Sequence, residues 1–186
     1  MTAAEPRPEF SRPIRADRVG REPKHRRIEA SPAECARLAE RLGVAELKRL
    51  VADVALQRHG GGRIDLTGEL EAELVQLCVV SLEPVAARIE EHFLIEFIEP
   101  PDGAEPAVAE SVISLEAGDP PEPVRDGVID LGEAVVQQLA VAIDPYPRAP
   151  GAVAAWPGQE SEAAAPEDGR HPFAGLGSTQ KTRGSP

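Results

Sequence analysis

Ile64-Asp65-Leu66-Thr67-Gly68-Glu69-Leu70-Glu71-Ala72-Glu73-Leu74 is the stretch that decides the fold. Its even positions are apolar or small and its odd positions are Asp, Thr and Glu, a period of two that puts one set on each face of a strand. One face is buried and the other acidic and wet, the pattern of an antiparallel sheet with one solvated side. At Val75 the apolar set moves to Val75, Leu77 and Val79. A slip of one residue turns a whole face over, so a bulge or bend near Leu74-Val75 is expected. Beyond Glu83-Pro84 a second run alternates through Val85, Ala87, Ile89, Phe93, Ile95 and Phe97. The two runs, 64–77 and 85–97, read as neighbouring antiparallel strands joined around Ser81 to Pro84.

Upstream, Leu47, Leu50, Val51 and Val54 fit a helix, whereas Leu50, Ala52, Val54 and Leu56 fit a strand. The turn His59-Gly60-Gly61-Gly62 leads straight into the Ile64 run, which favours a hairpin and a strand over 50–56. Before it, Ser31-Pro32-Ala33-Glu34 opens a helix: Ser31 caps, Pro32 suits the first position and Glu34 completes a capping box. Cys35, Leu38, Ala39 and Leu42 make its apolar face, and Gly43 stops it. Cys35 is thereby a small core residue. Residues 26–30 and 10–19 read as short extended pieces. The second is an edge strand, because Pro13 has no N–H to give a sheet centre. Residues 1–9 read as a flexible N-terminus.

Downstream, residues 99–127 form a Pro-, Gly- and acid-rich loop, long for a connection within a compact domain. Val112, Ile113 and Leu115 read as a short strand in it. Asp130-Leu131-Gly132-Glu133 opens a second helix, with Asp130 as cap and Glu133 third. Leu131, Val135, Leu139 and Ile143 are its apolar face, and Asp144-Pro145-Tyr146-Pro147 ends it. Residues 151–186, with single apolar residues Trp156, Phe173 and Leu176, are expected to be disordered. The expected fold is α+β: one domain over 10–150, an antiparallel sheet, open or partly barrel-like, with two packed helices at 32–42 and 131–143.

The 186 residues are 41% hydrophobic but only 3% aromatic, so Leu, Val, Ile and Ala must fill the core. A formal net charge of −12 argues against nonspecific nucleic-acid binding by the whole chain, since phosphates need Lys and Arg. The sign is uneven. Arg7, Arg12, Arg15, Arg18, Arg21, Lys24, Arg26 and Arg27 make the N-terminal segment basic, while from Asp65 to Asp130 only Arg88 and Arg125 interrupt the carboxylates. Two cysteines make no disulfide framework, no apolar leader opens the chain and no apolar run approaches the ~20 residues of a spanning helix. A soluble, cytoplasmic acidic protein is expected. Its histidines (His25, His59, His92, His171) are scattered. The glycines before Arg63 precede a strand and lack a P-loop lysine. Neither enzyme, cofactor, metal nor small-molecule substrate is expected. Glu69, Glu71 and Glu73 on one strand face support one catalytic alternative, a metal-dependent carboxylate nuclease; an exposed acidic face is the plainer reading.

Cys78-Val79-Val80-Ser81-Leu82-Glu83-Pro84-Val85, followed by Ile89, Phe93 and Phe97, resembles the YceD family, the large ribosomal RNA subunit accumulation proteins. Ile129-Asp130-Leu131-Gly132-Glu133, with Gln138 through Ile143 and then Asp144-Pro145-Tyr146-Pro147-Arg148, looks like that family's second block, and His171-Pro172-Phe173-Ala174-Gly175-Leu176 is similar to its ending. The likeness extends in order over about 10–150 plus that ending. The motif positions are Cys78, Leu82, Glu83, Pro84, Asp130, Leu131, Pro145 and Pro147. Many members have Cys-x-x-Cys at the first block; Ser81 stands at its second cysteine here, which argues against a redox or zinc role for that turn. The family carries no catalytic residues to transfer.

The resemblance implies a non-enzymatic factor supporting accumulation of large-subunit (23S) ribosomal RNA and ribosome biogenesis, bound to a ribosomal protein or to pre-rRNA. Two surfaces suit a partner. Arg12, Arg15, Arg18, Arg26 and Arg27 form a basic arm for RNA phosphates. Glu69, Glu71, Glu73, Glu90 and Glu91 form an acidic face for a basic ribosomal protein, the reading that the net charge favours. The alternative outside ribosome assembly is a general acidic interaction module.

Overall fold

The computed structural model describes residues 8–99 and 120–153. Val153 apart, these fall in the first of two compact units, which ends at Ala152. Residues 1–7 of the expected loose start over 1–9, the strand at Val112 to Leu115, Trp156 and the ending around Phe173 and Leu176 lie outside the described residues; Glu9 is held by Arg37 and Arg41.

Five strands make the main sheet: β2 (Lys24–Glu29), β3 (Glu46–Arg58), β4 (Arg63–Leu77), β5 (Pro84–Ile98) and β6 (Glu122–Pro123), hydrogen-bonded in that order. The β2–β3, β3–β4 and β4–β5 pairs are antiparallel, and the two-residue β6 joins β5 in parallel. The order is open, with β2 and β6 at its edges, so the sheet does not close into a barrel. β1 (Pro13–Arg15) is the expected edge strand, and it pairs antiparallel with β7 (Val128–Asp130) in a separate two-stranded sheet. β6 thus gives order to the end of the 99–127 loop, and β7 follows directly on it.

The helices follow their caps. α1 (Pro32–Leu42) has the full capping box, with the Ser31 N–H donating to Glu34 at 2.8 Å, and ends at Gly43 in the left-handed region, φ 67°. α2 (Leu131–Ala142) starts on Asp130, whose carboxylate accepts from the Gly132 and Glu133 N–H groups. Glu133 does not complete a second capping box. Its carboxylate takes two hydrogen bonds from Arg41 of α1, at 2.6 and 2.8 Å. A guanidinium fork outbids one backbone N–H for a carboxylate.

The expected slip at Leu74-Val75 does not occur within β4. Burial alternates without a break from Ile64 through Leu66, Leu70, Ala72 and Leu74 to Gln76 and then Cys78, leaving Leu77 half exposed. Apolarity and position part company because Gln76 donates from Nε2 to the Asp144 carbonyl at 2.7 Å, a bond that satisfies its amide inside. The register shift lies instead on β3, between Leu47 and Arg49, opposite Leu74 and Glu73.

One core joins the inner sheet face (Leu50, Leu56, Leu66, Leu70, Phe93, Phe97) to Leu38 of α1, Val135 and Leu139 of α2, and Phe10, Val19 and Ile129. At Gly132 a Cβ would lie 2.2 Å from the Phe10 carbonyl oxygen. Only glycine lets the N-terminal segment lie this close against α2.

Candidate functional site

Because directly opposed residues of an antiparallel pair share a face, the register places the outward side chains in rows. One row crosses four strands: Arg27, Asp53, Glu69, His92. The next is Glu29, Val51, Glu71, Glu90, and the third Arg49, Glu73, Arg88. Arg49 meets Glu71 at 3.1 Å, Arg88 meets Glu90 at 2.6 Å and Glu71 at 3.9 Å, and Arg27 meets Asp53 at 2.5 Å. The acidic face is therefore a carboxylate field crossed by arginines. Carboxylates still predominate on it, and Glu73 makes no ion pair among the described residues. A shallow groove of about 440 Å³ opens where His25, Arg27, Asp53, Thr67, Glu69 and His92 meet.

Glu91 does not belong to this face. It lies opposite Leu70, on the side of β5 that carries Ile89 and Phe93, and is itself exposed. A period of two makes neighbours Glu90 and Glu91 point to opposite faces.

Nor do the five arginines form an arm; Arg12 immediately precedes β1, and the others are built into β1, the turn after it and β2. Arg12 grips Glu34 through both nitrogens, at 2.8 and 3.0 Å, and lies 4.4 Å over the Phe10 ring. That guanidinium, aided by the Ser31 amide, lowers the Glu34 carboxyl to about 2 against the cost of burial. Arg15 pairs with Asp17 at 2.9 Å and Arg27 with Asp53. Arg18 and Arg26, by contrast, make no ion pair among the described residues, and neither do Arg21 and Lys24.

The resemblance-bearing residues converge at the far end of the sheet. The β4–β5 turn is wound around Cys78: its N–H donates to Glu83 O at 2.8 Å, its carbonyl accepts from Leu82 N at 2.9 Å, and its buried sulfur accepts from Val80 N and Ser81 N. Leu82 takes a left-handed conformation, φ 60°. The Ala149 backbone, then Ser81 and Val80, stabilise the thiolate and lower the Cys78 thiol to about 6. Val79 N donates to Pro147 O at 2.9 Å, and Tyr146 N to the Asp144 carboxylate at 2.8 Å. Asp130 and Leu131 start the helix whose exit, Pro145 to Pro147, meets this turn. A groove of about 400 Å³ separates the two pieces, lined by Leu77, Val79, Pro145 and Pro147 among others.

A family model, described as large ribosomal RNA subunit accumulation protein YceD, matches residues 66–178. The chain belongs to the YceD family. The match starts inside β4 and takes in the Cys78 turn, β5, α2 and the Pro145-Pro147 exit, together with the His171 to Leu176 ending. It leaves out β1 to β3 and α1, so the likeness read from residue 10 onward is carried by the family model only from Leu66. The YceD family description places the chain with proteins of large ribosomal RNA subunit accumulation. No curated protein and no solved structure matches the chain. Among the described residues no helix is long and apolar enough to cross a membrane.

Residues that sequence reading passed over proved central. Arg49 and Arg88 set the charge of the outer face. Arg58 donates to the carbonyls of Val19 and Ala16 and to Glu99. Gln76 ties β4 to the exit of α2. Each signal was present as a polar residue interrupting an apolar pattern, but the partners of Arg49, Arg58 and Gln76 lie at least 22 positions away in the chain.

Proposed function

We infer that this chain is a non-enzymatic, cytoplasmic factor supporting accumulation of large-subunit ribosomal RNA, acting by holding a basic ribosomal protein on the outer face of β3 to β5. The observation that carries this reading is the set of in-register rows in which Asp53, Glu69, Glu71, Glu73 and Glu90 share one exposed face with too few arginines to neutralise them. A flat, half-neutralised face suits a lysine- or arginine-rich segment: the interleaved arginines hold the carboxylates in place, and the surplus charge speeds encounter. Fixed arginines also discriminate, since a partner must place its cations between them. Family membership supports the process; the face supports the kind of partner.

The test is a sucrose-gradient profile with both large ribosomal RNAs quantified, in a deletion strain complemented by the wild-type chain or by Glu69→Lys/Glu73→Lys/Glu90→Lys. Wild type should restore the large subunit and its RNA. The reversed face should fail to, and should lose a salt-sensitive basic ribosomal protein from pull-downs. Full complementation by the reversed face would sink the reading.

A further inference from the structure

Eight arginines of the described chain (12, 15, 27, 41, 49, 58, 63 and 88) are engaged with carboxylates. Arg37, Lys48, Arg125 and Arg148 meet no carboxylate within ion-pair distance among the described residues but are scattered, whereas the equally unpaired Arg18, Arg21, Lys24 and Arg26 crowd into nine residues. The backbone carrying them is nevertheless pinned. Arg58 N donates to Gly20 O at 2.8 Å, Arg58 Nε to Val19 O at 2.9 Å, and Gln57 Nε2 to Arg21 O at 3.0 Å. A fixed main chain with unengaged cations is a preorganised surface, for which binding orders little beyond side-chain rotamers.

Lys24 and Arg26 stand on β2, an edge of the sheet among the described residues, where lysine and arginine also deter edge-to-edge pairing. Edge protection does not account for Arg18 and Arg21, which lie off the strand, in the turn that Arg58 holds against the end of β3. We propose that Arg18, Arg21, Lys24 and Arg26 form a binding strip for the phosphate backbone of single-stranded RNA. Three of the four are arginines, whose planar fork suits phosphate oxygens. Lys24 and Arg26 lie on one face of β2 about 6.8 Å apart, so the two cations can meet different phosphates of one strand.

The net charge of −12 does not cancel the strip. Glu69, Glu71 and Glu73 are on β4, two strands from β2, so at least about 9.6 Å away. That exceeds the Debye length of about 8 Å at physiological salt, and these carboxylates project from the opposite face to Lys24 and Arg26. Within reach are Glu22, next to Arg21, Asp17, already held by Arg15, and Asp53 on β3, already held by Arg27. The strip goes beyond the protein-docking role of the sheet face and is tested separately from it.

The experiment is fluorescence anisotropy of a labelled 30-nucleotide single-stranded RNA with the full-length chain across a salt series. Arg18→Ala/Arg21→Ala/Arg26→Ala should weaken binding at least about tenfold and flatten the salt slope by roughly 2, at about 0.7 per lost phosphate contact. The charge-matched Lys48→Ala/Arg125→Ala/Arg148→Ala should stay within about twofold of wild type. Arg18→Lys/Arg21→Lys/Arg26→Lys should keep most of the slope, separating lost charge from lost fold. Equal weakening by both alanine triples, or no wild-type binding, overturns the strip. Competition by poly-glutamate as effective as by RNA assigns it to an acidic polypeptide instead and overturns the proposal too.

Discussion

Arg12 and Arg18 are six residues apart in one basic run, and the fold uses them in opposite ways. Arg12 is sunk against Phe10 and clamped to Glu34 across the gap to α1. Arg18 stands exposed on the turn after β1 and grips nothing among the described residues. The same split runs through the acidic stretch, where Glu71 is held between Arg49 and Arg88 while Glu73, on the same strand, is not. Charge density in a sequence therefore says little about which charges are available. What separates structural from available charge is which carboxylate each guanidinium reaches: the register sets Glu73 opposite both Arg49 and Arg88, yet both turn diagonally to Glu71.

The strongest way to break the structural side is to displace the segment that carries Arg12. Gly132→Ala puts a Cβ 2.2 Å from the Phe10 carbonyl oxygen, and backbone on both sides leaves no easy relief. It should cost about 3 kcal/mol in chemical denaturation. A loss under about 1 kcal/mol would show that the close approach is not a constraint.

Arg12→Ala should cost about 2 kcal/mol at pH 7, since it strands a partly buried carboxylate. The sign of its pH dependence follows from Glu34, whose carboxyl is lowered from 4.5 to about 2 by Arg12. The unfolded chain protonates Glu34 first, so this stability is complete above about pH 4.5 and fades as pH falls toward 2. Wild type and Arg12→Ala should therefore converge in stability on acidification. A difference that stays constant from pH 7 to 2.5 would remove the ion pair as the cause.

Arg58→Ala should cost about 1–2 kcal/mol, because the Val19 carbonyl loses its side-chain donor, the Ala16 carbonyl keeps only the Val19 N–H, and Glu99 loses its partner. Hydrogen exchange should rise over residues 16–21 ahead of the sheet. If exchange rose uniformly instead, the turn would not be a separately pinned element.

The smallest effect sharpens the comparison most. Arg18→Ala, Arg21→Ala and Arg26→Ala should each change thermal stability by no more than about 0.5 kcal/mol, as should Arg49→Ala, an exposed pair on the sheet face. The two classes part on binding: the first three should weaken RNA, whereas Arg49→Ala should leave RNA alone and tighten a basic partner. Stability losses from the first group comparable to Arg12→Ala would erase the distinction drawn between them.

Much of the framework was legible because it depends on local chemistry. Ser31, Pro32, Glu34 and Gly43 start and stop α1 through groups within a few residues of one another, and the alternation around Leu70 needs only one buried face. Asp130 caps α2 for the same reason. The reading failed where a distant partner decided the matter. Gln76 faces inward because the Asp144 carbonyl is there to receive its amide. Glu133 turns to Arg41 rather than to its own helix cap. Glu91 was grouped with Glu90 by sign, although a strand's period sets them on opposite faces.

The sequence by itself determined the helices, the β4–β5 hairpin, the α+β class and the family likeness. These rest on periodicity, capping and motif order, all short-range properties of the chain. Only the tertiary structure decided that β1 leaves the main sheet to pair with β7, that the sheet stays open, and which cations are held and which are not. Strand partnership and ion pairing depend on groups brought together from distant positions, and a counter-ion on the neighbouring strand leaves no mark on the sequence neighbours of the residue it neutralises.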